Sequence, residues 1–514
     1  MNKIFLEFDR IIRHSESWLT VRSVRISGKI ANSIAERIIQ RLVELTFIPY
    51  LVYCYNRNKN GETPYPPLDE TLSLGGILVN TSSGKIGITP YLYFYSIALF
   101  LHDWIKTLFV IILSFFPSKR VYKKATLVFG IGQNAFKICG RKNSFEEFCR
   151  LGPVKPFVNA TSLLIQNAND KMEGADRITF CKNPVFELIR YVELSQIQKI
   201  KLFLFHLSYP LVHITNLIRF PVSVLYLRDI AYLPAISMLD KIGLIEAVII
   251  TNSNYSAQPL WMRNQSKFNF LVHEVHYSQN TFPFTYKEES ISVDLPAFRH
   301  VRVDEHWVWT TQYGEHLTKL GHTGKIHVVG PILWFIPHFY SPAKNENNIR
   351  IVVFDVDPIT DEVSAKFGLI TNYYKTENMI SFIEAILEVC KELEGSIQKK
   401  ISIQLKHKRQ TVKNFHDETY TYFIDSMEMK YPNFQTVDHS SDTFLLLTNA
   451  DISISIPYTS VSYVAAWLMK PTIYFDPSNK LLFTNESNPY IRTAGGREEL
   501  KRVMEKILSP SLTN

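Results

Sequence analysis

The residues best placed to do chemistry lie near the end of the chain, in Asp451-Ile-Ser-Ile-Ser-Ile-Pro457-Tyr458-Thr459-Ser460 followed by Val-Ser462-Tyr-Val-Ala-Ala-Trp-Leu. The pattern predicts a buried strand, a sharp proline turn and a hydroxyl pair opening an apolar helix. Helix N-termini carry unpaired N–H groups and the positive end of the helix dipole, so such a start can seat a phosphate. About fifty residues upstream, the predicted strand Ile401-Ser-Ile-Gln-Leu405 ends in Lys406-His407-Lys408-Arg409. Lysine, histidine and a forked guanidinium at a strand end add the positive charge that a leaving phosphate requires. Pro457, Thr459, Ser460 and Lys406 to Arg409 are therefore the candidate binding residues for a nucleotide-linked sugar phosphate, and no metal is required beside them.

A base to activate an acceptor hydroxyl is expected on a different part of the chain. His273-Glu274-Val-His276-Tyr277-Ser278-Gln279-Asn280 is the densest polar cluster leaving a predicted strand. Alternation puts Glu274 and His276 on one face and His273 on the other. Histidine titrates near neutrality and a neighbouring glutamate can tune it, so Glu274 and His276 are the candidate catalytic pair. Asp304-Glu305-His306 is the second choice. Asp355-Val-Asp357 resembles a metal-binding pair but reads more simply as an acidic strand end. Trp261, Trp307 and Trp334 read as core residues before they read as sugar-stacking platforms.

The 514-residue chain is long enough for two or three cored domains. Hydrophobic residues at 46% and charged residues at 20% favour folding over disorder. The five cysteines form no CxxC pair and no zinc spacing, which fits a reducing cytoplasm. No signal peptide is apparent, since charges interrupt the first ten residues. The net charge of +8 favours anionic lipid or anionic donors. Nucleic acid is not an expected partner, for there is no zinc-finger spacing, RNP-like motif or long basic helix.

Residues 1–120 predict a mainly helical region. Within it Tyr91 to Phe116 exceeds the ~20 residues needed to span a bilayer, but His102, Asp103 and Lys106 interrupt the run and are expected to share one helical face. An interfacial or protein-packed helix is the better expectation, with Lys119, Arg120, Lys123 and Lys124 meeting anionic headgroups. Residues 121–340 then alternate strands and helices, with strands expected at Ala125–Ile131, Leu163–Gln166, Val222–Arg228, Ala247–Asn252, Phe270–Tyr277, His306–Trp309 and Lys325–Gly330. Residues 341–514 repeat the pattern as five strands and five helices after the polar hinge Ser341 to Asn348. Apolar strands joined by helical crossovers indicate parallel sheets covered on both faces. The expected fold is α/β, with two Rossmann-like domains facing across a cleft in the GT-B manner.

At these residues the chain resembles the bacterial polysaccharide-biosynthesis proteins named for a Pro-Phe-Thr-Ser motif, here Pro457-Tyr458-Thr459-Ser460 with Tyr in place of Phe. The resemblance runs over roughly residues 125 to 510. It takes in the Trp261 region, His276-Tyr-Ser-Gln-Asn280, Gly330-Pro-Ile-Leu-Trp334, Phe354-Asp-Val-Asp-Pro358 and Tyr474-Phe-Asp476-Pro477. It implies a glycosyltransferase of surface polysaccharide assembly. With the candidate residues above, the expected partners are a nucleotide-sugar donor and a glycan or lipid-linked acceptor, with no further cofactor, in the cytoplasm with the inner face of the cell membrane as one expected place of work. The chain is more loosely similar to GT-B sialyltransferases. Their His-Pro motif and hydroxyl pair would fall on His407 and Thr459-Ser460, which makes a CMP-linked sugar one donor among several; Lys408 stands where that motif has proline. A non-hydrolysing sugar-nucleotide epimerase and a non-catalytic glycan-binding scaffold are the alternative readings.

Overall fold

The structure is a computed structural model that describes residues 2–27, 31–118, 120–131, 144–166, 177–211, 217–252, 258–263, 268–278, 285–288, 298–332, 348–366, 373–408, 410–483 and 488–508. The chain opens with two long helices packed along one another, α1 (Asn2–Ser27) and α2 (Ala31–Lys59). An antiparallel meander follows, β1 (Thr71–Leu74), β2 (Ile77–Asn80) and β3 (Ile86–Ile88). Its first turn uses Gly75 at φ +58°, where a Cβ would stand 2.3 Å from the Leu45 carbonyl oxygen, so only glycine fits against α2. The third helix, α3 (Pro90–Leu113), starts with Thr89 capping the Leu92 amide and proline in its first turn, where a missing N–H costs nothing.

α3 is long and apolar enough to cross a bilayer by length and composition, yet one face is committed to protein. Leu92, Phe100, Asp103, Thr107 and Ile111 are buried, while Tyr91, Phe94, Tyr95, Leu101, Ile105 and Phe109 are exposed. The expectation that His102, Asp103 and Lys106 share a face is corrected. Asp103 turns inward to Arg228 at 2.5 Å, whereas His102 and Lys106, one helical turn apart, point outward. Adjacent helical residues diverge by about 100°, and a buried carboxylate follows its cation.

The first large sheet has seven parallel strands: β4 (Ala125–Val128), β5 (Leu163–Gln166), β6 (Ile178–Cys181), β7 (Ile245–Thr251), β8 (Leu271–Val275), β9 (Glu305–Val308) and β10 (Lys325–Val328), in the order β10-β9-β8-β7-β4-β5-β6. The second has six: β11 (Asn348–Phe354), β12 (Lys400–Lys406), β13 (Phe434–Val437), β14 (Ile452–Ser455), β15 (Thr472–Asp476) and β16 (Ile491–Gly495), in the order β13-β12-β11-β14-β15-β16. Both follow the doubly wound order in which the chain reverses direction beside its first strand. The switch points therefore lie between β4 and β7 and between β11 and β14. The two Rossmann-like domains of the expected architecture are both present.

Two edge strands, β6 and β16, escape the sequence reading. Each has a partner on one side only and carries polar or half-exposed positions, so neither shows the continuous apolar run of a central strand. Conversely, Val222 to Arg228 is not a strand but a single 3₁₀ turn, Pro221–Ser223, leading into an α-helix, Val224–Ile230. Six of that helix's seven residues are buried, which erases the polar face that reveals a helical period.

The N-terminal region shares one hydrophobic core with that helix and with Leu260. Ion pairs fasten it further: Arg299 to Asp9 at 2.7 Å, Arg302 to Glu36 at 2.8 Å and the buried pair Arg37 to Asp229 at 2.7 Å. The two sheet domains are joined in their turn by an apolar cluster that holds Trp307, Trp309 and Ile332 with Val352, Phe354, Tyr458 and Tyr463. A backbone bridge between Tyr286 and Leu481 adds a second tie.

Asp229 also accepts the Leu260 amide at 2.8 Å, so its removal strands both the Arg37 guanidinium and a main-chain donor in the interior. Asp229→Ala is expected to cost about 3–5 kcal/mol in denaturant unfolding. A loss below about 1 kcal/mol, the value of an exposed pair, would show that this contact does not hold the helical region to the first domain.

Candidate functional site

Strand β14 has all four residues buried because helices cover both faces of its sheet. Its serines would be costly there without partners, and they form a chain of hydroxyls. Ser453 donates to Thr472 at 2.8 Å, and Thr472 to Ser462 at 2.9 Å. Ser462 lies 2.7 Å from Ser455, which accepts from Thr459 at 2.8 Å. The turn between Ser455 and Thr459 carries Tyr458 at φ +59°, a left-handed conformation that a bulky residue adopts only when its surroundings impose it. Two tyrosines supply the constraint. Tyr458 is buried in the interdomain cluster, and the Tyr474 hydroxyl donates to the Thr459 carbonyl at 3.1 Å.

Thr459 occupies the N-cap of the helix Ser460–Trp467, but its side chain caps no amide. The hydroxyl instead faces back toward Ser455 and the Ile456 carbonyl, 2.9 Å away. Of the expected hydroxyl pair, Thr459 is thus a fastener of the turn. Ser460 is half-buried at the mouth of the helix, and Pro457 is buried behind it. The helix start keeps its dipole and lacks an N-cap side-chain bond, and the positive end of that dipole is what favours an anion at such a terminus.

Residues Phe354, Lys406 and Ser455 stand side by side in parallel register, so the ends of β12, β11 and β14 lie within roughly 10 Å of one another. The basic strand end therefore meets the acidic one. His407 Nδ1 is 2.9 Å from Asp355 and 2.7 Å from Asp357, and the Tyr420 hydroxyl donates to Asp355 at 2.7 Å. Burial pushes the His407 pKa down, but hydrogen bonds and charge from both carboxylates outweigh it and raise the value to about 10. With its Nδ1 held by carboxylates and its side chain 18% exposed, the ring keeps a positive edge toward solvent. It lines two adjoining cavities of about 150 and 350 Å³.

Lys406 is placed otherwise than the sequence predicts. Its ammonium turns inward and donates to the His439 carbonyl at 2.7 Å, and burial lowers its pKa. It tethers the loop after β13 instead of facing a ligand. Lys408 is exposed, and Arg409 lies outside the described residues. Asp355, Asp357 and His407 bring three metal-ligating atoms together, but the imidazolium already sits between both carboxylates. The roles of Asp355, Asp357 and Tyr420 as supports of His407 were missed from sequence. Their only signal was a paired acidic strand end that becomes informative once it is known to adjoin the basic one.

In the first domain the structure brings Glu274 and His276 together, at 3.4 Å, along with His306, whose Nδ1 is 3.0 Å from the Glu274 carboxylate. All three are in a sealed interior, with Glu274 and His276 at 0% exposure. A base must come within hydrogen-bond reach of the hydroxyl it activates, and these side chains offer no surface to a substrate. The density of polar residues that singled them out reflects a buried cluster. Asp304 accepts the Val272 amide at 2.7 Å, and Glu305 lies between His273 and His327. Trp307 stacks on His327, and Trp334 lies outside the described residues. Trp261 is buried but lines a cavity of about 360 Å³ at the β4–β7 switch point, with Arg37, Arg41, Glu44, Arg228 and Tyr232. The sequence does not reveal this cavity, because Arg37 and Arg41 come from the helical region while Arg228, Tyr232 and Trp261 come from the sheet domain.

The family described as "Polysaccharide biosynthesis PFTS motif protein" matches residues 211–504. A comparison with curated proteins finds no match. Among solved structures, one described as trehalose-6-phosphate from E. coli bound with UDP-2-fluoro glucose is similar at 12% identity and a TM-score of 0.39, covering 76% of this chain and 92% of the other. A UDP-glucose: anthocyanidin 3-O-glucosyltransferase in complex with UDP is similar at 10% identity and 0.38, covering 75% and 90%. The wall teichoic acid polymerase TagF is similar at 11% and 0.34, covering 82% and 90%. Scores this low carry no argument, and the two-domain architecture rests on the chain's own strand orders.

His407 is expected to keep its proton through neutral pH. Its folded pKa lies above the ordinary value of 6.5, so the stabilisation it contributes is complete below that value and is lost as pH rises through about 10. Asp357→Asn should bring the midpoint down toward neutrality. Ring-proton NMR titration reads it directly, and a wild-type midpoint below 7 would contradict the carboxylate clamp.

Proposed function

For a chain that belongs to the PFTS-motif polysaccharide-biosynthesis family, we propose the activity of a glycosyltransferase that moves a sugar from a nucleotide-sugar donor to a glycan or lipid-linked acceptor. The observation that carries this reading is the pairing of a helix N-terminus that its N-cap side chain does not close with an imidazolium clamped by two carboxylates, at the ends of β14 and β12 on either side of β11 and beside a topological switch point. When the bond between the sugar and the phosphate breaks, negative charge grows on the departing phosphate. A fixed N–H⁺ and a helix dipole lower the energy of that charge without having to reorganise. The hydroxyl chain from Ser453 to Thr459 and the Asp355–Asp357 clamp serve to hold those two groups still. A CMP-linked sugar is one donor this chemistry accepts. The cavity beneath α2 and α3, with Trp261, Arg41 and Glu44 on its wall, is the acceptor-side site in this reading.

We place the activity at a membrane surface. α3 and the helix Gln196–Ser208 are joined by reciprocal bonds of Trp104 and His206, each 3.1 Å from the other's carbonyl. Outward from that pair stand Phe94, Ile105 and Phe109 on α3 and Ile197, Ile200 and Leu204 on its neighbour, all exposed. Exposed Lys106, Arg120, Lys123, Lys124 and Lys201 accompany them. Apolar side chains with basic neighbours fit an anionic bilayer interface better than a protein partner. The buried Asp103 carboxylate, paired with the exposed Arg228 guanidinium, favours a helix lying on the bilayer over one crossing it.

Two measurements test these readings. Thermal stabilisation by UDP, GDP, CDP, CMP and their sugars should single out one nucleotide, and His407→Ala should abolish the shift. Ser460→Asp should raise the stability of the free protein by about 0.3–1 kcal/mol, as an acid in a first helical turn does, while removing nucleotide binding by occupying the anion's place. A folded protein that responds to no nucleotide would overturn the donor site. For the membrane, phosphatidylglycerol vesicles should float the protein, and Phe94→Glu with Phe109→Glu should release it. Failure to float, with concentration-dependent dimerisation instead, would assign the apolar face to a second copy.

A further inference from the structure

The buried polar cluster of the first domain is incomplete as a hydrogen-bonded network. Glu274 and His306 are register partners on β8 and β9, and His276 follows two residues after Glu274 on the same face. His322, in the connection from the helix Thr311–Lys319 to β10, closes over them. All four are at least nine-tenths buried. Glu274 Oε2 lies 3.0 Å from His306 Nδ1 and 3.4 Å from His276 Nε2, and those two nitrogens are 3.4 Å apart. Yet among the described residues neither Glu274 oxygen has a hydrogen-bond partner, nor do His276 Nδ1, His306 Nε2 or either nitrogen of His322. The ring contact from His276 Nε2 to His306 Nδ1 is the one hydrogen bond among the four side chains, and it leaves most of their polar atoms to be accounted for.

We infer that Glu274, His276, His306 and His322 form a structural site for a single divalent transition metal, zinc in the first instance. Four ligands at the ~2.0–2.1 Å of Zn–N and Zn–O bonds in a tetrahedron stand about 3.3–3.4 Å from one another. The triangle of Glu274, His276 and His306 has edges of 3.0, 3.4 and 3.4 Å. The ligand atoms of Glu274, His306 and His322 lie within 4.8 Å of one another, so this second triangle shares Glu274 and His306 with the first, and His322 takes the fourth corner by moving toward them. Three imidazoles and one carboxylate in a closed site suit zinc, where oxygen-seeking cations would want more carboxylate and water. The metal would pin β8 and β9 to the connection that leads into β10, next to the interdomain cluster. It is far in kind from the donor site and independent of the glycosyltransferase reading.

The test is elemental analysis of the tag-free protein purified without chelator. About one zinc per chain is expected, with chelation lowering the melting temperature and zinc restoring it. Cobalt reconstitution should give the intense visible bands of a tetrahedral ion. His306→Ala with His322→Ala should lose the metal, whereas Asp355→Ala with Asp357→Ala, at the other three-ligand cluster, should retain it. Folded wild-type protein without metal, whose melting temperature ignores both chelator and added zinc, would overturn the inference and leave a proton shared between Glu274 and its histidines. Metal retained by the double-histidine variant would overturn it equally.

Discussion

The chain of hydroxyls running from Ser453 through Thr472, Ser462 and Ser455 to Thr459 is the constraint on which the donor side of the molecule depends. It spans two strands and the helix that follows one of them, and it does so in an interior where each unmade bond would cost about 1–3 kcal/mol. That cost fixes the rotamer of Thr459 and, through it, the left-handed turn at Tyr458. Because the threonine hydroxyl is consumed in this chain, it is withheld from the N-cap, and the helix Ser460–Trp467 begins without its usual partner. The motif's small polar residues thus divide the labour: Thr459 stabilises the turn by turning away from solvent, and Ser460 is left beside an open dipole.

The same economy governs the neighbouring strand ends. Two buried carboxylates, Asp355 and Asp357, would repel one another and resist burial, and the His407 proton between them relieves both costs. The relief works in both directions, since the carboxylates keep the imidazole charged at a pH where a free histidine would be largely neutral. Lys406 cannot serve in this way, because strand alternation sends it to the opposite face, where the His439 carbonyl takes its ammonium. One positive ring with an anchored Nδ1 is a stiffer electrostatic element than a cluster of flexible cations, and it pays little side-chain entropy on meeting a phosphate.

How much of this was legible in the sequence depends on periodicity. Central strands such as β11, β12 and β14 announced themselves as apolar runs between helical segments, and from them the second domain could be laid out almost element by element. The edge strands β6 and β16 could not, because an edge position relaxes the demand for apolar side chains. Val224 to Ile230 failed for the opposite reason, being buried on so many sides that no polar face remained to show a period. The helix start at Ser460 and the basic end of β12 were readable as local features. Their meeting with Asp355 and Asp357 was not, since it depends on which strands become neighbours.

The buried cluster around Glu274 carries the sharper lesson about sites. A run of His, Glu, His, Tyr and Ser leaving a strand looks the same in sequence whether it lines a cleft or fills a core, and the two differ only in what covers it. Here β9 supplies His306 in register and the approach to β10 supplies His322, so the covering is itself made of ligating groups. A core assembled for packing alone would place leucine or phenylalanine at those positions, because four buried titratable side chains with unpaired atoms are destabilising in every protonation state they can share among themselves. Their retention together, in a domain whose neighbouring buried positions are filled by Val272, Val275 and Phe298, is intelligible if something bound holds one atom of each. A single cation takes one atom from each of the four side chains, offsetting the Glu274 charge and orienting the three rings about one point.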